Sequence, residues 1–428
     1  MTPFKVFDLN DWELSAYSGE ALDVQMPGFA LVEPTVLILG EQALREHRRS
    51  PLAAHYHYWH RLDTSPLRSS HRSVRSSADL VFNQLAELIE KSGAQGEPAV
   101  FTLPSHYSKD QLALLLGIVE ETSVTPLAFV DASVAAGATH PADWVLDVTL
   151  HQMTLTRLER RSQNIARDVV ESMPEGGLLP LLDAWLARIA DEFVHETRFD
   201  PLRIADTEQQ LWSRLYDWVG GQGKARSNNG LHLEVKHDAG NWHVNFDVRE
   251  LELSATTLAR TITSAGVDTP GTRFAVTHRA ARIPGLTSAL QSLGIDDCRT
   301  LAADAHIHGI LDNARLFEQR GDHGVKFVTS LTARHTHPAS MGTHTEARLR
   351  QAAPTHLVYD GIATPISAPV DLARAVPALP ANSYQIAPVT GAFEISERGR
   401  RLHHLACGSS ATIGTHTVLA VRIADHGA

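Results

Sequence analysis

The chain has 428 residues, of which 43% are hydrophobic and 20% charged, and its formal net charge at pH 7 is −11. This length suits two or three domains, and the composition is that of an ordinary folded protein. An acidic chain without clustered Lys and Arg lacks the means to neutralise nucleic-acid phosphates, so we expect no nucleic-acid partner.

The cysteine count and the hydropathy pattern bear on the compartment. Cys298 and Cys407 lie far apart and in no metal-binding or redox spacing, which favours a reducing compartment. The sequence shows no signal-peptide pattern, and no apolar run reaches the roughly 20 residues of a membrane span. We therefore expect a cytoplasmic protein without a membrane span.

Strand and helix patterns alternate through the first 143 residues, which is typical of a mixed α/β fold. Ser108 followed by Gln111 has the form of a capping box and predicts a helix start. The other predicted elements of this region are strands over Phe4–Leu9, Leu14–Ser18, Glu97–Leu103 and Thr125–Val130 and a helix over Ala78–Ser92.

The same alternation continues to about residue 316, with longer helices. Strands are predicted over Trp144–Val148, Met153–Glu159, Leu231–His237, Trp242–Val248 and Arg273–Val276. Helices are predicted over Leu178–His195, Asp206–Trp218, Ser254–Ser264 with Ser254 as N-cap, Leu286–Leu293 and His306–Asn313.

The pattern changes in the last quarter of the chain. A strand-like segment, Val325–Thr332, precedes a polar linker, His335–Pro354. Short strands broken by Pro and Gly then follow over Thr355–Tyr359, Tyr384–Ala387, Gly391–Ser396, Arg401–Ala406 and Thr417–Ile423. We predict a first lobe over residues 1–143 and a second over 144–316, whose last helices pack back toward the first. A strand and linker over 317–354 and a small β-rich domain over 355–428 complete the prediction.

Five segments resemble, in order, the nucleotide-binding segments of DnaK-type chaperone ATPases. Val6–Ala16 is similar to the first phosphate loop and its returning strand, and Ala99–Ile118 to the strand and helix that follow it. Phe129–Ala136 is similar to the connection between lobes, Val145–Leu155 to the second phosphate loop, and Phe274–Leu286 to the adenosine segment. The resemblance implies an α/β actin-like ATPase fold, with two ribonuclease-H-like lobes around a cleft and a small C-terminal all-β appendage. That appendage is too short for the family's substrate-binding β-sandwich and helical lid.

The glycines of all three nucleotide loops are replaced. Side chains stand at Asn10, Asp11 and Trp12 in the first loop, Thr149, Leu150 and His151 in the second, and Thr277 and His278 in the third. Glycine matters in such loops because the turns need positive φ and the backbone N–H groups must approach phosphate oxygens closely. A carboxylate beside a phosphate adds a repulsion of roughly 4 kcal/mol at ~4 Å. These replacements predict the loss of ordinary nucleotide binding.

The acidic residues of the family's site are better preserved. Asp8, Asp131 and Asp147 match the positions that hold hydrated magnesium and orient water, although acids at strand ends also cap turns and helices. His60 stands where the family has its catalytic lysine, and a largely neutral imidazole does not replace that fixed charge. The resemblance therefore implies a degenerate catalytic set.

Histidine is abundant, with 24 residues. The resemblance implies that His60, His151 and His278 face the cleft with Asp8 and Asp147, which raises the alternative of a metal site. No His-x-x-x-His pair with a carboxylate supports it, and surface or loop histidines are the competing interpretation.

We expect a nucleotide-independent pseudo-ATPase that acts as a chaperone-like scaffold or protein-interaction module, with no cofactor and an unidentified protein partner. The alternative is a DnaK-like, weak ATPase that binds ATP and Mg²⁺ through a remodelled site; a metal-binding protein is the third class. We also expect the cleft to be filled by its own side chains, with Trp12 and His151 in the phosphate volume. The competing placement of Trp12 is outward or in the core of its own lobe.

Overall fold

The computed structural model describes residues 4–161, 163–221, 230–238, 240–267, 271–318, 324–333, 354–359, 362–389, 392–397, 400–406, 410–413 and 416–421. The chain divides into two compact units, Met1–His335 and Thr336–Ala428. Both contain β-sheets, and the α-helices of the described residues lie in the first unit, so the fold class is mixed α/β. The predicted linker His335–Pro354 lies outside the described residues except for Pro354.

Strands occur along the whole length of the first unit. The first ten in chain order are β1 (Lys5–Asp8), β2 (Leu14–Ser18), β3 (Ala21–Met26), β4 (Ala30–Val32), β5 (Leu37–Leu39), β6 (Ala54–His55), β7 (Pro66–His71), β8 (Val74–Ser76), β9 (Pro98–Leu103) and β10 (Thr125–Asp131). The others are β11 (Trp144–Val148), β12 (Met153–Arg161), β13 (Asn164–Met173), β14 (Leu231–His237), β15 (Gly240–Phe246), β16 (Arg273–Val276), β17 (Asp297–Thr300), β18 (Lys326–Val328) and β19 (Ser330–Thr332).

The helices of the first unit begin after polar caps or glycines in most cases. They are α1 (Glu41–Glu46), α2 (Ser77–Lys91), α3 (Lys109–Glu120), α4 (Ala132–Thr139), α5 (Leu178–Thr197), α6 (Ala205–Val219), α7 (Arg249–Ile262), α8 (His278–Ala281), α9 (Leu286–Ser292) and α10 (Ala305–Asp312). The predicted capping box of Ser108 and Gln111 is present at the start of α3. The predicted Ser254 cap is wrong, because α7 begins at Arg249 and the Ser254 hydroxyl instead lies 3.2 Å from the Trp185 indole nitrogen.

Two six-stranded sheets share one strand arrangement. The first has the order β18-β10-β9-β1-β2-β3 and the second the order β17-β16-β11-β12-β13-β19. In each, three consecutive strands form an antiparallel meander. One later strand pairs in parallel with the first strand of the meander, and a second pairs in parallel with that added strand. The sheets differ at the far edges, where β18 pairs in parallel with β10 and β19 pairs antiparallel with β13.

Helices α4 and α10 pack between the two sheets. One buried cluster joins Val6 and Val100 of the first sheet, Val145 of the second, Val134 of α4 and Ile310 of α10. The two helices approach closely at Gly309, where an added Cβ would lie 1.9 Å from the Ala135 carbonyl oxygen. A second cluster fills the space beside the first sheet. A third is built mainly from residues of the second sheet and of α5, α6 and α7.

The second unit consists, in its described residues, of strands and one short 3-10 helix, Leu372–Arg374. The strands are β20 (His356–Tyr359), β21 (Ile362–Pro365), β22 (Val370–Asp371), β23 (Tyr384–Val389), β24 (Ala392–Glu397), β25 (Arg400–Ala406), β26 (Ser410–Ile413) and β27 (His416–Val421). They form two four-stranded sheets, β21-β20-β27-β26 and β22-β23-β24-β25. Leu357, Ile386, Phe393 and Val418 belong to their shared buried core.

Candidate functional site

Polar side chains meet where central strands of the two large sheets end. Asp8 ends β1, Asp147 lies one residue before the end of β11, and Thr277 follows β16. Open α/β sheets bind ligands at the carboxyl ends of their strands. The Asn10 side-chain amide donates to Asp147 (3.3 Å) and to the Val148 carbonyl (3.0 Å), so the loop after β1 contacts β11 directly. The Thr277 hydroxyl donates to the other Asp147 oxygen at 2.7 Å.

Asp8 is fully buried and carries an internal counter-ion. The Arg279 guanidinium pairs with its Oδ2, the Thr102 hydroxyl donates to its Oδ1 at 2.7 Å, and His306 Nε2 lies 3.2 Å away. Burial alone raises the pKa of Asp8, but the charge of Arg279, with His306 and the Thr102 hydroxyl, holds that pKa well below its ordinary value. Asp8 therefore keeps its negative charge inside the protein.

Arg279, on α8, is the residue that sequence reasoning missed. It is 3% exposed, and its Nε lies 3.3 Å from Glu13. Burial lowers the pKa of Arg279, whereas the carboxylates of Asp8, Asp147 and Glu13 raise it above its ordinary value. The guanidinium thus supplies the positive charge that buried acids require. The only sequence signal for it is that two acids predicted to share one site need a cation.

His278 lines the same small cavity as Asp147, but its side chain contacts Glu13. Its Nε2 lies 3.3 Å from Glu13, which also pairs with Arg282 at 2.6 Å. Thr277 caps α8 by accepting the Ala280 N–H. Side chains that replace the glycine pair of the third loop thus start a short helix and hold Asp147.

Asp11 links the two loops that resemble phosphate loops. Its carboxylate accepts the backbone N–H of Leu150 at 2.8 Å, and its other oxygen lies 4.0 Å from His151 Nε2. Burial raises the pKa of Asp11 to about 6, against the hydrogen bond from Leu150 and the charge of His60, which lower it. A loop N–H of the kind that would approach a phosphate oxygen is therefore taken by a side chain of the protein.

The loop after β11 is also bonded to the start of α5. The Thr149 and Leu150 carbonyl oxygens accept the N–H groups of Leu178 and Leu179 at 3.1 and 2.8 Å. Gly177, just before this helix, has no room for a side chain, because a Cβ would come within 2.2 Å of the His151 carbonyl carbon. Orphan N–H groups at a helix N-terminus attract anions, and in this chain loop carbonyls occupy two of them.

Trp12 is 1% exposed and belongs to the cluster built mainly from the second half of the first unit. The Arg282 guanidinium lies over its ring, 4.2 Å from the centroid, and the Tyr216 hydroxyl donates to its carbonyl at 3.3 Å. Trp12 therefore neither points outward nor packs only with residues of the first sheet. Its burial against Arg282 and Tyr216 is the placement expected of a residue that fills the cleft.

His151 packs into a cluster with three histidines from the first 143 residues, and we call this set the histidine cluster: His57, His60, His106 and His151. The centroid of the His151 ring lies 4.0 Å from that of His57 and 5.0 Å from that of His60. The ring centroids of His60 and His106 are 5.7 Å apart. His151 Nε2 is 2.7 Å from the Tyr56 carbonyl oxygen.

Loss of hydration lowers the pKa of every member of the histidine cluster, although only His151 is buried, His60 and His106 are half-buried and His57 is exposed. The values are about 3 for His57 and His106 and about 4 for His151, while the charge of Asp11 opposes the lowering at His60. The cluster is therefore neutral near pH 7. Neither ring nitrogen of His106 has a hydrogen-bond partner among the residues that the structure describes. Among the described residues, no group of three or more His, Cys, Asp or Glu side chains is arranged to hold a metal ion.

Asp131 has the role of a helix cap. Its carboxylate accepts the N–H groups of Ser133 and Val134 at the start of α4 and the Ser105 hydroxyl at 2.8 Å. Arg167 lies 3.0 Å from its other oxygen. Burial raises the pKa of Asp131, against the opposing charge of Arg167. These contacts account for the side chain without a ligand.

The space left at the strand ends is small. A cavity of about 10 Å³ lies between Asp147, Thr277, His278, Arg279 and His306. That is room for about one water molecule, whereas pockets for drug-sized ligands are typically about 300–1,000 Å³. In this conformation the site holds side chains where a nucleotide would need volume.

Comparison with known proteins adds no assignment. No protein-family profile matches the chain, and no curated protein matches it. Within the described part of the chain, none of the helices has the length and apolar character needed to cross a membrane.

Proposed function

We propose that this chain is a degenerate relative of the DnaK-type chaperone ATPases and works without nucleotide, as a scaffold or protein-interaction module. The repeated strand order of the two large sheets, with α4 and α10 packed between them, supports an actin-like fold of two ribonuclease-H-like lobes. The small β-rich unit at the C-terminus is then an added all-β domain.

One observation carries the functional part of the proposal. The two loops that would hold phosphates are hydrogen-bonded directly to each other, through Asp11 to Leu150 N–H and Asn10 to Asp147. Arg279 neutralises Asp8 at the place where the resemblance puts a hydrated magnesium. The charges that nucleotide and metal bring to such a site are supplied by the chain itself. The proposal therefore includes no cofactor. It also includes an unidentified protein partner and a cytoplasmic location, both of which are expectations from the sequence.

Calorimetric titration of the full chain with Mg-ATP and with Mg-ADP tests the proposal. We expect no saturable heat and no rise of the melting temperature at millimolar nucleotide, because a ligand stabilises only the state that it binds. A dissociation constant below about 10 μM for either nucleotide, equivalent to about 7 kcal/mol of binding, would overturn it in favour of the weak-ATPase alternative.

A triple variant distinguishes a cleft that is filled by side chains from an open site that binds nucleotide weakly. The triple substitution Trp12→Gly, Thr149→Gly and His151→Gly removes the side chains that fill the cleft, and we expect a lower melting temperature than for the wild type. An unchanged melting temperature would contradict the filled cleft. Elemental analysis of the purified protein decides the metal-binding alternative, since a stoichiometric transition metal would establish it.

A further inference from the structure

The strand β5 has a free edge with unpaired backbone groups. It is the outer strand of the three-stranded sheet β5-β4-β6. In an antiparallel ladder, hydrogen-bonded and non-hydrogen-bonded residue pairs alternate. The Gly40 N–H donates to the Phe29 carbonyl and the Glu33 N–H to the Val36 carbonyl, which shows which pairs of β4 and β5 are hydrogen-bonded. In that alternation Ile38 bonds to β4, so the N–H and C=O groups of Leu37 and Leu39 point away from the sheet. They have no partner among the described residues.

The opposite edge of the same sheet is closed. On β6 the Ala54 N–H donates to the Ser50 carbonyl at 3.0 Å. Just after the end of β6, the carbonyl oxygen of Tyr56 lies 2.7 Å from His151 Nε2. Proteins normally cover or bond their sheet edges, because an open edge pairs with other strands. β5 is short, with three residues, and short edge strands limit such pairing, but its outward backbone groups are open where those of β6 are bonded.

A groove of about 620 Å³ runs between β5 and α2. Its apolar part comes from Leu37 and Leu39, whose side chains are half-buried against the core of the first sheet. Phe82 lies on α2, one turn before the groove residue Ala86, and is 36% exposed. Most of the groove lining is polar, and its apolar surface is the Leu37 and Leu39 side chains beside the unpaired backbone. Sheets recognise an added strand by such backbone groups together with contacts to alternate side chains.

The free polar groups of the groove are acceptors. The Asn83 amide nitrogen donates to the Asp79 carbonyl at 2.7 Å, which leaves its oxygen available. Lys91 is paired with Glu87 at 2.6 Å, whereas the exposed Glu90 has no ion-pair partner among the described residues. A donor that carries positive charge complements this set.

We propose that an extended segment of a partner protein adds to β5 as a fourth strand. Its backbone bonds to Leu37 and Leu39, its alternate apolar side chains pack on the side chains of these two leucines, and a Lys or Arg side chain meets Glu90. This surface is separate from the strand-end site, so the inference does not depend on whether a nucleotide binds there.

A fluorescein-labelled Lys-Val-Lys-Val-Lys-Val peptide, titrated with the full chain and followed by anisotropy, tests the inference. At an ionic strength of about 0.15 M we expect a dissociation constant on the order of 1–100 μM. The Glu-Val-Glu-Val-Glu-Val peptide should bind much more weakly. Methylation of the backbone nitrogens along one edge of the basic peptide should weaken binding about tenfold, because those N–H groups are lost while the charge is kept.

Two substitutions locate the site on the protein. Glu90→Lys should weaken binding about fivefold or more, whereas Glu121→Lys, an exposed acid at the end of α3, should not. Leu39→Pro removes an outward N–H without breaking a bond to β4 and should also weaken binding. If Leu39→Pro does not fold, the methylated peptide tests the same bond on unaltered protein.

Two results would overturn the inference. Equal binding of the methylated and unmethylated basic peptides would show attraction by charge alone. A wild-type dimer that Leu39→Pro or Glu90→Lys converts to a monomer, with no peptide binding, would show that a second copy of the chain occupies the edge.

Discussion

Asp11 presents its carboxylate to the Leu150 N–H of the facing loop, and Arg279 presents its guanidinium to the buried Asp8. Each charged side chain crosses between segments that belong to different large sheets. A buried pair of this kind is costly to break, because removal of one partner leaves the other uncompensated. These residues therefore hold the two sheets together at the point where a ligand-binding cleft would open.

Substitution of Asp11 tests this link. Asp11→Ala leaves the buried Leu150 N–H without an acceptor and should lower the free energy of unfolding by about 1–3 kcal/mol. Asp11→Asn keeps an acceptor oxygen of the same shape and removes a charge whose burial is unfavourable, so its loss should be smaller. Urea denaturation at pH 7.5 measures both. Equal losses for the two variants would contradict the role of the hydrogen bond.

Only part of this site could be predicted from the sequence. Asp11, Trp12 and His151 stand out because each lies where the resemblance to chaperone ATPases would place a small loop residue, and the structure buries all three. Arg279 could not be predicted in the same way, since its partner Asp8 lies 271 positions earlier and no local pattern connects them. The contact exists only because β1 and β16 end at the same place in the fold.

Among the helices and strands, too, some could be predicted from the sequence and others were missed. The capping box at Ser108 and the buried strands are predictable because their signals lie within a few residues. Strand β3 is absent from the prediction although its sequence carries a strand signal, since Leu22, Val24 and Met26 alternate with Asp23 and Gln25. In the structure it pairs antiparallel with β2.

The crossing of α4 and α10 depends on one missing side chain. Gly309→Ala would place a methyl group 1.9 Å from the Ala135 carbonyl oxygen, a backbone atom that has little room to move. We expect a loss of about 1–3 kcal/mol of stability. The control is Gly117→Ala in α3, where an added Cβ meets nothing within 4 Å. It should raise stability by roughly 0.5–1 kcal/mol, since alanine favours a helix over glycine.

Calorimetric melting temperatures of these two glycine variants give the comparison. Gly309→Ala should melt below the wild type and Gly117→Ala at or above it. If both variants melt at the wild-type temperature, the close approach of α4 and α10 is not the contact that the structure describes.

For the whole molecule, the buried titratable groups set how stability depends on pH. Burial lowers the pKa of His47 and His151 to about 4 and of His57 and His106 to about 3, whereas an unfolded histidine titrates near pH 6.5. Below about pH 6.5 the unfolded chain therefore binds more protons at these sites than the folded chain. Asp11 acts in the opposite sense, because a pKa of about 6 lets the folded chain take up a proton first. Raised pKa values at Asp131 and Glu208 add to that opposition.

The histidines outnumber these carboxyl groups, so the free energy of unfolding should fall as pH decreases from about 6.5 to about 4, by roughly 1.4 kcal/mol per pH unit for each excess proton. Below that range the lowered pKa values of Asp8 and Glu13 act in the same direction. Melting temperatures between pH 8 and pH 4.5 measure the slope. His151→Gln, which keeps a donor for the Tyr56 carbonyl and does not titrate, should flatten it, whereas His195→Gln at an exposed position of α5 should leave it unchanged. A melting temperature at pH 5 equal to that at pH 7.5 would mean that the histidine cluster takes up its protons without cost in the folded chain. It would contradict the burial of His151 and of the two ring nitrogens of His106.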